Sequence, residues 1–115
     1  MDGSVIRAAC LSALLAAAPI GAAAHQLIVF ASVDCVAVMV EAKFSNGNPV
    51  QIAEVRVLDG DNVLQTTFEI GEDGTIEIPL DSVDHSGGLV IEVDTGNHDN
   101  YWIVTPEDIA RNCGS

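Results

Sequence analysis

A chain of 115 residues holds one small domain beside any leader, and no more. Four basic residues against seventeen acidic ones give a formal net charge of −13 at pH 7, which argues against nucleic acid and anionic membrane surfaces as partners. The same balance favours cations, or solubility alone.

Residues 1–24 read as a secretory signal peptide. Arg7 supplies a short positive n-region, and Ala8–Leu15 with the alanine-rich stretch behind it supplies an apolar h-region. Ala22-Ala23-Ala24 provides small residues for cleavage. Cys10 stands ahead of most of the h-region, too early for a lipoprotein cysteine. The expected product, 25–115, is periplasmic, begins at His25 and keeps no apolar stretch long enough to span a bilayer.

That product reads as all-β, an immunoglobulin- or transthyretin-like sandwich of seven strands. Leu27–Ala31 is nearly continuous apolar, and Val36–Ala42 follows Asp34-Cys35. Ser45-Asn46-Gly47-Asn48-Pro49 breaks the chain. Ala53, Val55 and Val57 alternate with Glu54 and Arg56, the pattern of a strand with one buried face. Asp59-Gly60-Asp61-Asn62 marks a tight turn before Val63–Ile70, and Glu72-Asp73-Gly74 marks another, with a glycine suited to positive φ. Ile76, Ile78 and Leu80 then alternate with polar neighbours, as do Leu89, Ile91 and Val93 with Val90, Glu92 and Asp94. Tyr101–Val104 is the last strand, and Thr105-Pro106-Glu107-Asp108 reads as an N-cap with proline at the first position of a short helical turn. The expected core is Leu27, Val29, Val38, Val40, Val55, Val57, Ile76, Ile78, Ile91 and Val93.

If each strand reverses direction, His25 lies at the end holding the Ser45–Pro49 loop, the Gly71–Gly74 turn and the Thr95–Asp99 loop. His98 then shares that end, while His85 falls at the other as a plain surface histidine. Cys35 and the segment after Val104 also fall at the His85 end, where Cys35 and Cys113 are free to pair in an oxidising compartment. Their spacing leaves disulfide and free thiols both open, and it lacks the CxxC of a zinc knuckle or redox motif.

A terminal histidine presents its α-amine and a ring nitrogen side by side, so one residue can chelate a borderline metal. With His98 the set offers three nitrogens, and Asp94 or Asp99 could add an oxygen. Such a set suits Ni(II), Co(II) or Cu(II) better than Ca(II) or Mg(II). The order His-Gln-Leu lacks the third-position histidine of the square-planar amino-terminal copper and nickel motif. Tyr101 and Trp102 read as sheet or core residues rather than ligands.

The stretch His25-Gln-Leu-Ile-Val-Phe-Ala-Ser-Val-Asp34 resembles the start of the small periplasmic accessory component of nickel/cobalt energy-coupling-factor transporters, in which a leader ends just before a histidine. The middle, Gly47–Val50 through Ala53–Gly60 to Gly71–Gly74, resembles the same proteins and the wider carboxypeptidase-regulatory-like sandwich. Ile91-Glu-Val-Asp-Thr-Gly-Asn-His98 is similar to the family's Val-Asp-x-Gly-x-x-His segment, with one residue fewer before the histidine. Thr105-Pro-Glu-Asp-Ile109 is similar to a Thr-Pro-acidic segment of some members. The resemblance implies a protein that captures nickel or cobalt outside the inner membrane and presents it to membrane-embedded transporter subunits, without being an enzyme. No phosphate-binding glycine loop is present, and no Ser, Asp and His spacing singles out a catalytic triad.

Two rivals come from other classes. One is a copper carrier built on the terminal histidine, separable by its preference between Cu(II) and Ni(II), since raw affinity favours copper in nearly any site. The other is a metal-free structural or interaction sandwich whose edge strands pair with a partner.

Overall fold

The computed structural model describes residues 25–113; the proposed leader lies outside them. Seven strands follow one another: β1 (Leu27–Val33), β2 (Ala37–Phe44), β3 (Glu54–Leu58), β4 (Leu64–Glu69), β5 (Thr75–Pro79), β6 (Leu89–Asp94) and β7 (Asp99–Val104), closed by helix α1 (Pro106–Cys113). They form a three-stranded sheet in the order β1-β2-β5 and a four-stranded sheet in the order β4-β3-β6-β7, antiparallel throughout.

Alternation decides which faces meet. Leu27, Val29 and Ala31 of β1, Val38, Val40 and Ala42 of β2 and Ile78 of β5 point inward against Val55, Val57, Ile91 and Val93 of the other sheet, in one buried cluster. Each valine, leucine or isoleucine among them is worth roughly 1.5–3 kcal/mol buried against exposed. Loop and helix residues complete the cluster: Val50 and Ile109, which strand periodicity does not reach, and Leu80, which it does. Ile76, expected in the core, is only half-buried and packs at its rim. It lies on β5, an edge of the smaller sheet, where less of the opposite layer covers it.

Strand ends move where side chains capture the backbone. Val36, expected in β2, lies in the preceding turn, because Asp34 Oδ1 accepts from the amides of Val36 (2.7 Å) and Ala37 (2.8 Å). Asp59 Oδ1 likewise accepts from Val63 N (3.0 Å), which keeps Val63 out of β4. Leu80 leaves β5 for a 3-10 turn, Leu80–Ser82, in which Ser82 Oγ donates to Pro79 O (2.7 Å). Gly74 has the positive φ its turn suggests (+82°), and a Cβ there would come within 2.6 Å of the Ala42 carbonyl oxygen, so glycine is required twice over.

One end is fastened. Thr105 Oγ1 accepts from Asp108 N and Asp108 Oδ2 accepts from Thr105 N, both at 3.1 Å, a reciprocal cap that opens α1. Ile109 buries one side of the helix, and Cys113 at its end is disulfide-bonded to Cys35 in the β1–β2 turn. The pairing left open by spacing is thus made, because the strand count brings both cysteines to the same end.

Along the seam between the sheets, β1 and β7 run side by side without sharing a ladder. Asn100 Nδ2 donates to Leu27 O (3.0 Å), and Trp102 meets Phe30 edge-on at 5.1 Å. These contacts fix the strand that follows His25 to the strand that follows His98.

Candidate functional site

The site grows from the two segments that the seam joins. Gln26 N donates to Ser45 Oγ (3.0 Å) and Ser45 N donates to Gln26 O (2.8 Å), so the backbone is pinned one residue after His25. His25 itself is exposed. Across the seam, the Thr95–Asp99 loop is held by its own polar groups. His98 N donates to Thr95 Oγ1 (3.0 Å), and His98 O accepts from Thr95 N (2.8 Å). The loop therefore holds its shape without relying on the imidazole. That ring lies half-buried beside Phe44, centroids 6.0 Å apart and planes 70° from parallel. Phe44 pairs with Leu27 in the β1–β2 ladder, which places His98 next to the start of β1.

An open groove runs between the two segments, lined by Gln26, Leu27, Asn97, His98, Asp99 and Asn100. The strand count thus brings His25 and His98 to one end, with His85 in the loop before β6 at the other. Asp94 and Asp99 stand directly opposite each other across β6 and β7. Asp94 is already engaged, its Oδ1 by Gly96 N (2.8 Å) and its Oδ2 by Arg56 Nη2 (3.4 Å). Asp99 makes no ion pair among the described residues. Among these residues no group of three or more His, Cys, Asp or Glu side chains is placed to hold a metal ion.

Three neighbours of the groove carry no signal in sequence. Gln26 and Asn97 are ordinary polar residues outside the strands and Asn100 an ordinary polar residue of β7, and only the fold brings them together. Arg56 is a stronger omission. It sits at the centre of the outer face of the larger sheet, where its guanidinium donates to Glu54 (2.6 Å), Glu92 (3.1 Å) and Asp94 (3.4 Å). Glu54 first, then Glu92, raise its pKa still further above the ordinary arginine value, so it is a permanent cation. Alternation marks Glu54, Arg56, Glu92 and Asp94 as outward-facing, and that was the available signal. Nothing in the sequence says that β3 lies beside β6.

No helix among the described residues is long and apolar enough to cross a membrane. No protein-family model, curated protein or solved structure matches this chain.

Proposed function

We propose that the processed chain is a periplasmic accessory protein of nickel or cobalt uptake, binding the divalent ion at its His25 terminus and presenting it to membrane-embedded transporter subunits. One observation carries the reading: the start of β1 and His98 border the same groove, at the same end of the sandwich. Cleavage before His25 would free an α-amine beside the imidazole, and His98 would supply a third nitrogen. Asp99 in the groove wall is the readier oxygen donor, since Asp94 would first have to release Arg56. Such a nitrogen-rich set suits Ni(II) and Co(II). Exposure of His25 leaves a bound ion open to transfer, which suits a carrier better than a structural metal.

The test is calorimetric titration of the processed protein with Ni(II) and with Co(II). One residue added before His25 should weaken binding at least about tenfold, because the amine ceases to be a donor, and His98→Ala should also weaken it. His85→Ala, at the far end, should leave binding unchanged. Affinity should fall as pH drops, because protons compete with the metal for the donor nitrogens. If the extended and His98→Ala proteins bind as well as the parent, the terminal-histidine site does not exist.

A further inference from the structure

The outer face of the four-stranded sheet is ordered in rows across its strands. At the His98 end, Glu69 faces Glu54, Glu54 faces Asp94 and Asp94 faces Asp99, so four carboxylates stand side by side on four adjacent strands. Two residues along, Thr67, Arg56, Glu92 and Tyr101 form the next row. Two further, past the bulge at Val57/Leu58, the row is apolar: Leu64, Leu58, Val90 and Ile103. Leu64, Tyr101 and Ile103 each leave more than half their surface to solvent. An outward face of an antiparallel sheet is ordinarily mixed and polar. This one runs from fully acidic to fully apolar in five residues of β3.

Folding alone does not account for the arrangement. Like charges directly opposite one another destabilise a sheet. Arg56 reaches only Glu54 and Asp94 of the acidic row, leaving Glu69 and Asp99 uncompensated. The row is also a poor cation site, since its carboxylates are spread across the sheet rather than converging on a point; no metal-holding trio exists among the described residues. An extended positive surface is the complement.

We propose that this face docks another protein through an amphipathic helix laid across the strands, its basic flank on the Glu69–Asp99 row and its apolar flank on the Leu64–Ile103 row. The dimensions agree. Strands lie about 4.8 Å apart and a helix rises about 5.4 Å per turn, so lysines or arginines one turn apart meet carboxylates one strand apart. The outer rows are four residues apart along β3, about 13 Å at strand rise, close to the 10–12 Å width of a helix. The helix would then sit over the middle row, where Tyr101 offers contact area and Arg56 is already neutralised by three carboxylates. A second copy of this chain would set its acidic row against another acidic row or against the apolar row, and anionic lipid would be repelled by the same charges. The inference does not depend on metal binding at the His25 end.

The test uses the protein purified in the form its host makes, with EDTA present so that metal plays no part. The probe is a synthetic amphipathic helix with lysines along one flank and leucines along the other, compared with a scrambled peptide of the same composition. The ordered peptide should bind at least about tenfold more tightly than the scrambled one. Glu69→Lys should weaken it about tenfold and Ile103→Ser severalfold, both being exposed positions whose change leaves the circular dichroism intact. Glu77→Lys, on the outer face of the other sheet, should change affinity less than about twofold. Equal binding of the two peptides, or an equal loss with Glu77→Lys, would mean only diffuse attraction to an acidic protein and would overturn the proposal. So would a dimer of the parent that Ile103→Ser dissolves, because the face would then belong to a second copy.

Discussion

The two ends of this sandwich are closed by different means. At the Cys35 end, a disulfide, a reciprocal helix cap and the buried Ile109 bind the last element to the β1–β2 turn. At the His25 end, closure rests on hydrogen bonds with no crosslink: Gln26 with Ser45 and Thr95 with His98 in reciprocal pairs, and Asn100 with Leu27 singly. The first end is crosslinked and resists opening as a unit. The second can yield one contact at a time. The contrast places the candidate site where local rearrangement is cheapest, while a crosslink far from it holds the frame.

The largest way to break that contrast is to cut the crosslink. The disulfide spans 78 residues of sequence, so reducing it, or Cys35→Ser, should cost about 2–5 kcal/mol in urea unfolding. Metal affinity under native conditions should stay unchanged, because nothing near His25 is touched. An unaltered unfolding midpoint would show that the crosslink does not hold the frame, and a lost affinity would show that the ends are not independent.

Smaller effects sharpen the comparison. Asn100→Ala removes the hydrogen bond to Leu27 O, and Thr105→Ala removes the helix cap; each should cost about 1 kcal/mol. Their local consequences should differ. Hydrogen exchange should speed at the start of β1 for Asn100→Ala and in α1 for Thr105→Ala. If either change loosens both ends equally, the sandwich responds as one body and the division fails.

The sequence showed the layers more clearly than the edges. Inward alternation identified nine of the expected core residues, because two-residue periodicity is a property of one strand alone. Ile76 ended at the rim, since burial also depends on what lies opposite. Strand count placed His98 with His25, and Cys35 with Cys113, because reversal needs only the number of strands. Asn100 reaching Leu27, Arg56 bridging to Glu92 and Asp94, and the four-acid row all depend on register between strands distant in sequence. Those pairings are set by the whole sheet, and no local pattern carries them. Turn ends moved where Asp34 and Asp59 drew nearby amides out of the ladders, a competition visible only once the geometry is known.

The smallest effect separates the ends by pH. The Asp108 carboxyl is held below the ordinary carboxylate range, chiefly by the Thr105 backbone N–H, then by the Thr105 hydroxyl, with a lesser pull from Arg111. A lowered folded pKa means the charged form is favoured by folding. Its contribution is therefore complete above the unfolded value of about 3.9 and is lost as pH falls through the folded value. Asp34, which caps the turn beside Cys35, is lowered in the same sense by the amides of Val36 and Ala37. The crosslinked end should accordingly loosen below about pH 4, while the Gln26–Ser45 and Asn100–Leu27 hydrogen bonds of the open end involve no carboxylate and should not. Protection factors of the α1 amides, followed from pH 6 to pH 3, should decline in the parent. In Asp108→Asn they should start lower and change less, because an amide cannot gain the proton that breaks the cap. If the variant shows the same decline as the parent, the acid sensitivity arises elsewhere and the cap is not its cause.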